Sequence, residues 1–161
     1  MLTAATGSVD ETRAFGRALA EVVRRGDIVL LAGDLGAGKT ALTQGLGAGL
    51  GIDEPITSPT FIIARSYEGP TRLHHLDVYR LDRVQEAIDV GLPEMVDDDA
   101  VTVIEWGDAV MAALPRSFLE VRLRFGEGDD DRCFELRTVG ERWAARAELL
   151  RKAVQPWYVE C

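Results

Sequence analysis

The spacing of apolar residues near the start of the chain predicts an amphipathic helix. Phe15 and Leu19 recur at helical spacing within the segment SVDETRAFGRALAEVVRRG. Ser8 precedes this apolar run and Glu11 follows three positions later, which is the capping-box pattern of a helix start. Gly26 is of the type that commonly follows the last helical turn. We therefore predict a helix between Ser8 and Gly26.

Two short aliphatic runs predict strands in the interior of a sheet. The run at 27–32 (DIVLLA) is typical of a strand buried on both faces, and 101–105 (VTVIE) is a second strongly apolar strand. The segment after the first run predicts a helix that begins near Lys39 and ends by Gly51.

Four later segments predict antiparallel pairs. FIIARSY (61–67) and TRLHHLDVY (71–79) flank Glu68-Gly69-Pro70 and predict a hairpin. FLEVRLRF (118–125) and RCFELRTV (132–139) alternate in character around an acidic turn and predict a second pair. Residues 83–90 predict a short helix between the two pairs.

The end of the chain predicts a helical tail over about 141–161. Residues 141–154 (ERWAARAELLRKAV) have the pattern of one amphipathic helix. We expect Trp143, Leu150 and Trp157 to pack against the sheet, with docking to a partner as the alternative.

The order of these elements predicts the fold class. A chain of 161 residues has the usual length of one domain. A strand, a loop and a helix near the start, followed by further strands and helices, predict one α/β domain over 1–161, with a mixed central sheet flanked by helices.

The charge of the chain argues against direct binding of nucleic acid. The formal net charge is −9, whereas affinity for a phosphate backbone comes mainly from clustered lysine and arginine. If nucleic acid matters here, we expect a partner protein to hold it.

The cysteines and the start of the chain favour a cytoplasmic protein. Cys133 and Cys161 form no CxxC pair and no cluster with histidine, so we expect neither a zinc site nor a structural disulfide. The first residues lack the pattern of a signal peptide, and no apolar run approaches the roughly 20 residues that span a bilayer.

A glycine-rich segment between the first strand and the next helix predicts a phosphate site. GDLGAGKT (33–40) matches the GxxxxGK[ST] pattern, in which backbone N–H groups and the helix amino end bind phosphate. Lys39 would reach the β- and γ-phosphates and act in catalysis, and the Thr40 hydroxyl would bind Mg²⁺. The alternative is a glycine-rich turn with a solvated lysine. The predicted nucleotide contacts in this segment are Asp34, Leu35, Gly36, Ala37, Gly38, Lys39, Thr40 and Ala41.

Two carboxylates at strand ends are candidates for the remaining chemistry. Glu105 ends the run VTVIE, and Asp77 lies at the end of another predicted strand. One acid would hold the metal or its waters and another would orient the attacking water. We assign Glu105 to the metal and Asp77 to the catalytic water or its surroundings. A solvated strand end is the alternative for each.

Several classes of phosphate-loop protein are excluded by missing motifs. The chain has no NKxD, which reads guanine in GTPases, and no LSGGQ, which marks transporter ATPases. It is also too short for the larger ring-forming ATPases. A small kinase and a small ATPase that serves other proteins remain.

Four motifs together carry a specific resemblance. GDLGAGKT (33–40), SPTF (58–61), HLDVYRL (75–81) and VIEWGD (103–108) occur in the order and spacing found in the TsaE family. These are bacterial P-loop ATPases of tRNA threonylcarbamoyladenosine (t6A) biosynthesis. The resemblance covers residues from about 8 to 138, and the tail from Glu141 onward has no match.

The resemblance implies a function and a set of partners. TsaE proteins bind ATP and Mg²⁺, hydrolyse ATP slowly and work with TsaD and TsaB, which transfer the threonylcarbamoyl group to an adenosine of tRNA. For this chain it implies that tRNA is reached only indirectly, through such partners.

The resemblance also implies roles for individual residues. The loop that contains Thr60 is similar to a switch loop near the γ-phosphate, and Asp77 belongs to a second switch-like motif. Glu105 is similar to the family's metal-binding acid. Arg132 and the segment 8–12 resemble positions near the nucleotide base.

Two other functions stay open. A small-molecule kinase would need an arginine-rich lid, for which RLDR (80–83) is the only candidate. A non-catalytic binding module would use ATP only to fix a docking shape. His74 and His75 are interpreted as strand residues that face opposite sides of a sheet, not as metal ligands.

Overall fold

The computed structural model describes residues 1–58, 64–78, 88–89, 91–96, 99–105, 114 and 116–160. In these ranges the strands are β1 (Leu2–Thr6), β2 (Ile28–Ala32), β3 (Ala64–Tyr67), β4 (Leu73–Asp77), β5 (Val101–Glu105), β6 (Phe118–Phe125) and β7 (Arg132–Val139). The helices are α1 (Val9–Ala20), α2 (Lys39–Gly49), α3 (Leu92–Val96), α4 (Glu141–Ala144) and α5 (Ala147–Val154), followed by a 3₁₀ turn at Gln155–Trp157.

The seven described strands form one mixed sheet in the order β1-β7-β6-β2-β5-β4-β3. The four central strands, β6, β2, β5 and β4, run parallel, while β1, β7 and β3 pair antiparallel at the two sides. Both predicted antiparallel pairs are present, as β3 with β4 and β6 with β7. The predicted strand residues 61–63 and most of the predicted helix 83–90 lie outside the described residues.

Helices cover both faces of the sheet. On one face α1 and α2 pack over the inward side chains of the central strands, and on the other face α3 covers a second cluster. The first cluster includes Phe15, Leu19, Leu42, Leu46, Val29, Leu31, Val103 and Val121. The second includes Ile28, Leu30, Leu76, Ile104, Leu92 and Val96. Consecutive residues of β2 thus alternate between two buried faces, as its aliphatic run predicts.

Helices α1 and α2 approach each other closely because glycine lies on both. A methyl group on Gly45 would collide with the carbonyl oxygen of Arg13, and one on Gly16 would collide with that of Leu42. This close contact fixes the position of α2, and therefore of the loop in front of it, against the first helix.

The capping prediction for α1 is confirmed, but the predicted end of the helix is wrong. Ser8 accepts a hydrogen bond from the Glu11 amide at 3.1 Å, and the Glu11 carboxylate accepts one from the Gly7 amide at 2.7 Å. The helix ends at Ala20 rather than near Gly26. The carboxylate of Asp27 accepts from the Arg24 amide at 2.6 Å, which holds the intervening residues in turns leading into β2.

The tail is two helices rather than the single helix predicted. The chain leaves helical geometry at Arg146 (φ −109°, ψ 10°), between α4 and α5. The Arg146 guanidinium makes two bonds to the Asp27 carboxylate, at 2.6 and 2.8 Å, and a third to the Val22 carbonyl at 2.8 Å. It also lies 4.2 Å from the centre of the Trp143 ring. This buried ion pair attaches the tail to the start of β2.

The aromatic and aliphatic side chains of the tail pack as predicted. Trp143 and Leu150 are buried within the cluster shared with α1, and the Trp157 ring meets Phe15 edge-on with centroids 5.6 Å apart.

The strand β1 was not predicted. It pairs with β7 over five residues, from Leu2 opposite Leu136 to Thr6 opposite Arg132. On its other side the end of the tail adds a bridge between Ala4 and Tyr158, and the Val159 amide donates to the Thr3 carbonyl at 3.2 Å. The two ends of the described chain therefore meet at one side of the sheet.

Within the described ranges, no helix is both long and apolar enough to cross a membrane.

We expect Asp27→Ala to lower the free energy of unfolding by about 3–5 kcal/mol, because it leaves the buried Arg146 charge uncompensated. Chemical denaturation measures this change. Glu148→Ala, which removes an exposed partner of Arg151 on the same tail, is the control and should change stability by less than about 1 kcal/mol. A double change, Asp27→Leu with Arg146→Met, should recover part of the loss. An Asp27→Ala protein as stable as the parent would contradict a stabilising role for this pair.

Candidate functional site

The predicted phosphate loop lies between β2 and α2, at the carboxyl end of the parallel strands. Gly36 and Gly38 adopt positive φ angles, 82° and 105°, and Gly38 is the N-cap of α2. Because such angles are strained for residues with a side chain, these two positions require glycine. The Ala37 amide donates to the Asp34 carbonyl at 3.0 Å, which closes the bend. The amino end of α2 therefore opens directly from a tight glycine turn, as anion sites of this kind require.

The side chain of Lys39 is folded onto the loop and is only 7% exposed. Its Nζ donates to the carbonyl oxygens of Gly33 at 2.7 Å and Asp34 at 3.0 Å. Burial lowers the pKa of Lys39 from its ordinary value, while the negative charges of Glu105, Asp77 and Asp34 act in the opposite direction. The ammonium group is thus a partly desolvated cation inside a set of carboxylates.

The strand register brings the two predicted acids to the same edge. Asp77 of β4 pairs with Glu105 of β5, and Glu105 in turn lies opposite Leu31 of β2, just before the loop. Both carboxylates share the face of the sheet that carries α2, since Leu73 and Val103 on the same alternation pack there. Glu105 is 2% exposed, so it is a buried carboxylate rather than a solvated strand end.

The oxygen donors at this edge suit a hard divalent cation. Thr40 occupies the first turn of α2, and Glu105 and Asp77 end the neighbouring strands. Among the residues that the structure describes, no group of three histidine, cysteine, aspartate or glutamate side chains could hold a metal. A hydroxyl and a carboxylate that complete a coordination shell together with substrate phosphates are the usual arrangement for Mg²⁺.

A histidine that the sequence analysis did not assign to the site contacts Glu105. The Nε2 atom of His75 lies 3.2 Å from Oε1 of Glu105, and both side chains are buried. His74 points to the opposite face and bonds the Ser66 hydroxyl at 2.7 Å, so the predicted opposite orientation of the two histidines is confirmed. The spacing of His75 and Asp77 was a usable signal, because strand residues two apart share a face.

Arg132 joins the acidic hairpin to the phosphate loop. Its guanidinium donates to the carbonyl oxygens of Ala37 at 3.0 Å and Gly36 at 3.2 Å, and to those of Asp129 and Asp131 at 2.8 Å. These bonds hold the outer side of the loop against the β6–β7 turn. The proximity to the loop is clear, while a contact with a nucleotide base stays a prediction.

The remaining predicted site residues divide by exposure. Asp34 and Gly36 are exposed, and Leu35 is 90% exposed, so these three form the outer rim of the loop. Ala37 is fully buried beneath it. Thr12 of the predicted base segment lies within the same neighbourhood, since its methyl carbon is 3.8 Å from where a Cβ of Gly38 would be. Thr60, and the motif residues 79–81 and 106–108, lie outside the described residues.

Comparison with known proteins places this chain in a family. The model of the family described as "Threonylcarbamoyl adenosine biosynthesis protein TsaE" matches residues 6–134. A protein of Streptomyces coelicolor named tRNA threonylcarbamoyladenosine biosynthesis protein TsaE is 43% identical over 82% of this chain and 93% of its own. A protein of the same name from Bacillus subtilis is 37% identical over 91% of this chain and 92% of its own.

A solved structure has the same fold as this chain. The crystal structure of YdiB from Bacillus subtilis superposes with a TM-score of 0.80 at 33% sequence identity, covering 94% of each chain. The predicted fold class, an α/β P-loop NTPase-like fold with a mixed central sheet flanked by helices, is confirmed. The extent of the family match and the identity to these relatives show that the chain belongs to the TsaE family.

Proposed function

We propose that this chain is a Mg²⁺-dependent ATPase that supports t6A modification of tRNA together with TsaD-like and TsaB-like partners. The t6A pathway comes from the family and from the names of the relatives. The observation that carries the ATPase is the convergence of the phosphate loop, its lysine and two in-register carboxylates at one edge of the sheet. The proposal gives each of these groups a part in phosphoryl transfer to water.

The loop and Lys39 would bind and position the triphosphate. Amides of the tight turn and the amino end of α2 offer donors and a positive dipole to the phosphate oxygens. Lys39 holds two loop carbonyls in the structure, and on binding it would exchange them for β- and γ-phosphate oxygens. A desolvated ammonium interacts more strongly with these anions than a solvated one.

Thr40 and Glu105 are the residues that would hold Mg²⁺, and Asp77 would orient the attacking water. The metal supplies neutralisation of the charge that accumulates on the phosphate oxygens. Asp77 pairs with Glu105 in the strand register, so it lies beside the metal acid and at the same edge as the loop. In this division of roles, Glu105 binds the metal and Asp77 orients the water that attacks the γ-phosphate and accepts its proton or passes it on.

The charge of the chain supports an indirect role toward tRNA. At a net charge of −9 the protein lacks the excess of cations that binding to a phosphate backbone requires. Partners that hold the tRNA would therefore be needed, and the ATPase would act on those partners. Residence in the cytoplasm follows from the same proposal, because tRNA modification in bacteria takes place there.

The proposed function makes a first prediction, which concerns nucleotide affinity. We expect Lys39→Ala to weaken ATP binding by about 2–4 kcal/mol, because it removes a charge-assisted contact to phosphate. Isothermal titration calorimetry measures the change. The chain has two lysines, so Lys152→Ala, on the exposed face of α5, is the matched control and should bind ATP like the parent. Equal affinities in all three proteins would remove Lys39 from the site.

The second prediction separates turnover from binding. We expect Glu105→Gln and Asp77→Asn to lower ATP hydrolysis on the order of a hundredfold, with a much smaller loss of nucleotide affinity. Release of phosphate is measured with the chain alone and after co-purification with TsaD and TsaB proteins. Glu120→Gln removes a buried carboxylate on the opposite face, where Arg122 and Arg137 bind it, and serves as the control. A variant with full partner-stimulated hydrolysis would exclude its residue from the mechanism.

The same assay distinguishes the alternatives. With labelled ATP, phosphate that appears on a small acceptor rather than in solution would identify a kinase. Hydrolysis that stays at background with partners present, while partner affinity still follows the nucleotide, would identify a binding module.

A further inference from the structure

We propose that His75 is the positioning residue for the metal-binding carboxylate of Glu105. The Nε2 atom of His75 lies 3.2 Å from Oε1 of Glu105, and in this proposal its N–H donates to that oxygen and fixes the orientation in which the carboxylate meets Mg²⁺. This inference rests on the proposed function, because it assigns a partner to the acid that the function gives to the metal.

The strand register puts the two groups in a fixed relation. On β4, His75 lies opposite Val103 and Asp77 lies opposite Glu105, so His75 is one side-chain position further from the strand end on the same face. The imidazole therefore approaches Glu105 from the interior of the sheet, while the loop lies beyond the strand end. A carboxylate held from this side is prevented from turning into the apolar core around Leu73 and Val103.

Burial makes this hydrogen bond consequential. The His75 side chain has no exposed surface and that of Glu105 is 3% exposed. A carboxylate withdrawn from water without a donor is strongly destabilised, so the imidazole N–H compensates part of that loss. A group fixed before the metal arrives also has less freedom to lose when it binds.

The surroundings of the ring select one tautomer. The Nδ1 atom of His75 is buried and has no hydrogen-bond partner among the described residues. If Nδ1 carried the proton, a buried N–H would be unsatisfied and the Nε2 lone pair would face the carboxylate. The tautomer with the proton on Nε2 avoids both costs, which makes His75 a donor to Glu105.

Similar contacts in other metal sites indicate how much the loss of His75 should change the affinity for Mg²⁺. Groups that orient a ligand without touching the metal alter metal affinity by about 10–100-fold when they are removed. We therefore expect His75 to act on the Mg²⁺ dependence of nucleotide binding, and not on the contacts that the loop itself makes.

The test compares Mg²⁺ dependence in matched variants. Binding of a non-hydrolysable ATP analogue is titrated at increasing Mg²⁺ and in EDTA. His75→Leu should raise the half-saturating Mg²⁺ concentration about 10–100-fold and leave binding in EDTA unchanged. The amide of His75→Gln can donate from the position of Nε2. This variant should therefore have a half-saturating Mg²⁺ concentration within about threefold of that of the parent. His74→Leu, on the other face of the same strand, should resemble the parent.

A measurement on the unaltered protein covers the case in which His75→Leu fails to fold. Nitrogen-15 NMR of the histidine rings should find the His75 proton on Nε2, with a shift in that signal in Glu105→Gln. A proton on Nδ1 would overturn the proposal. So would a His75→Gln protein that performs no better than His75→Leu.

The outcomes also distinguish a failure of the positioning role of His75 from a failure of the proposed function. One outcome is that Glu105→Gln abolishes the effect of Mg²⁺ on analogue binding while His75→Leu leaves that effect intact. In that case the positioning role fails and the proposed function stands. If the parent binds the analogue equally with and without Mg²⁺, and Glu105→Gln changes nothing, the metal assignment fails and the positioning role fails with it.

Discussion

Parallel pairing of β2, β5 and β4 is the constraint on which the site depends. The strands run in one direction and in fixed register, so Leu31, Glu105 and Asp77 reach the same edge together. The glycine turn leaves β2 at that edge, and α2 returns across the face that carries the two acids. A shift of register by one residue would turn Glu105 or Asp77 to the opposite face, because side chains alternate along a strand.

The charges at this edge depend on one another. Lys39 and Glu105 are buried, and the negative charges of Glu105, Asp77 and Asp34 oppose the effect of burial on the lysine. The Nε2 atom of His75 lies 3.2 Å from Oε1 of Glu105, and Arg132 holds the outer side of the loop by its carbonyls. The two carboxylates and the glycine turn are in place without a ligand, whereas Lys39 is bonded to two loop carbonyls that it would have to exchange for phosphate oxygens in the proposed function.

The sequence was informative where the signal was local. The capping box at Ser8, the aliphatic run of β2 and the glycine pattern of the loop each act over fewer than a dozen residues, and each formed as predicted. Strand β1 was missed because its partner β7 lies about 130 residues away and its short segment LTAAT lacks a strong pattern. The break at Arg146 depends on Asp27, far away in the sequence, and no helical periodicity reports such a contact. The spacing of His75 and Asp77 placed both on one face, but the contact between His75 and Glu105 appears only when β5 is placed beside β4.

The bridge between Ala4 and Tyr158 has a consequence for how copies of the chain meet in solution. An edge strand offers unpaired backbone groups to any other strand, and such edges promote aggregation. Here the Thr3 carbonyl and hydroxyl are bonded to the backbone of Val159, and Trp157 of the preceding turn packs edge-on against Phe15 of α1. The residues that follow α5 thus protect the edge of β1 from pairing with another chain. Their loss would expose this edge strand to pairing with a second molecule.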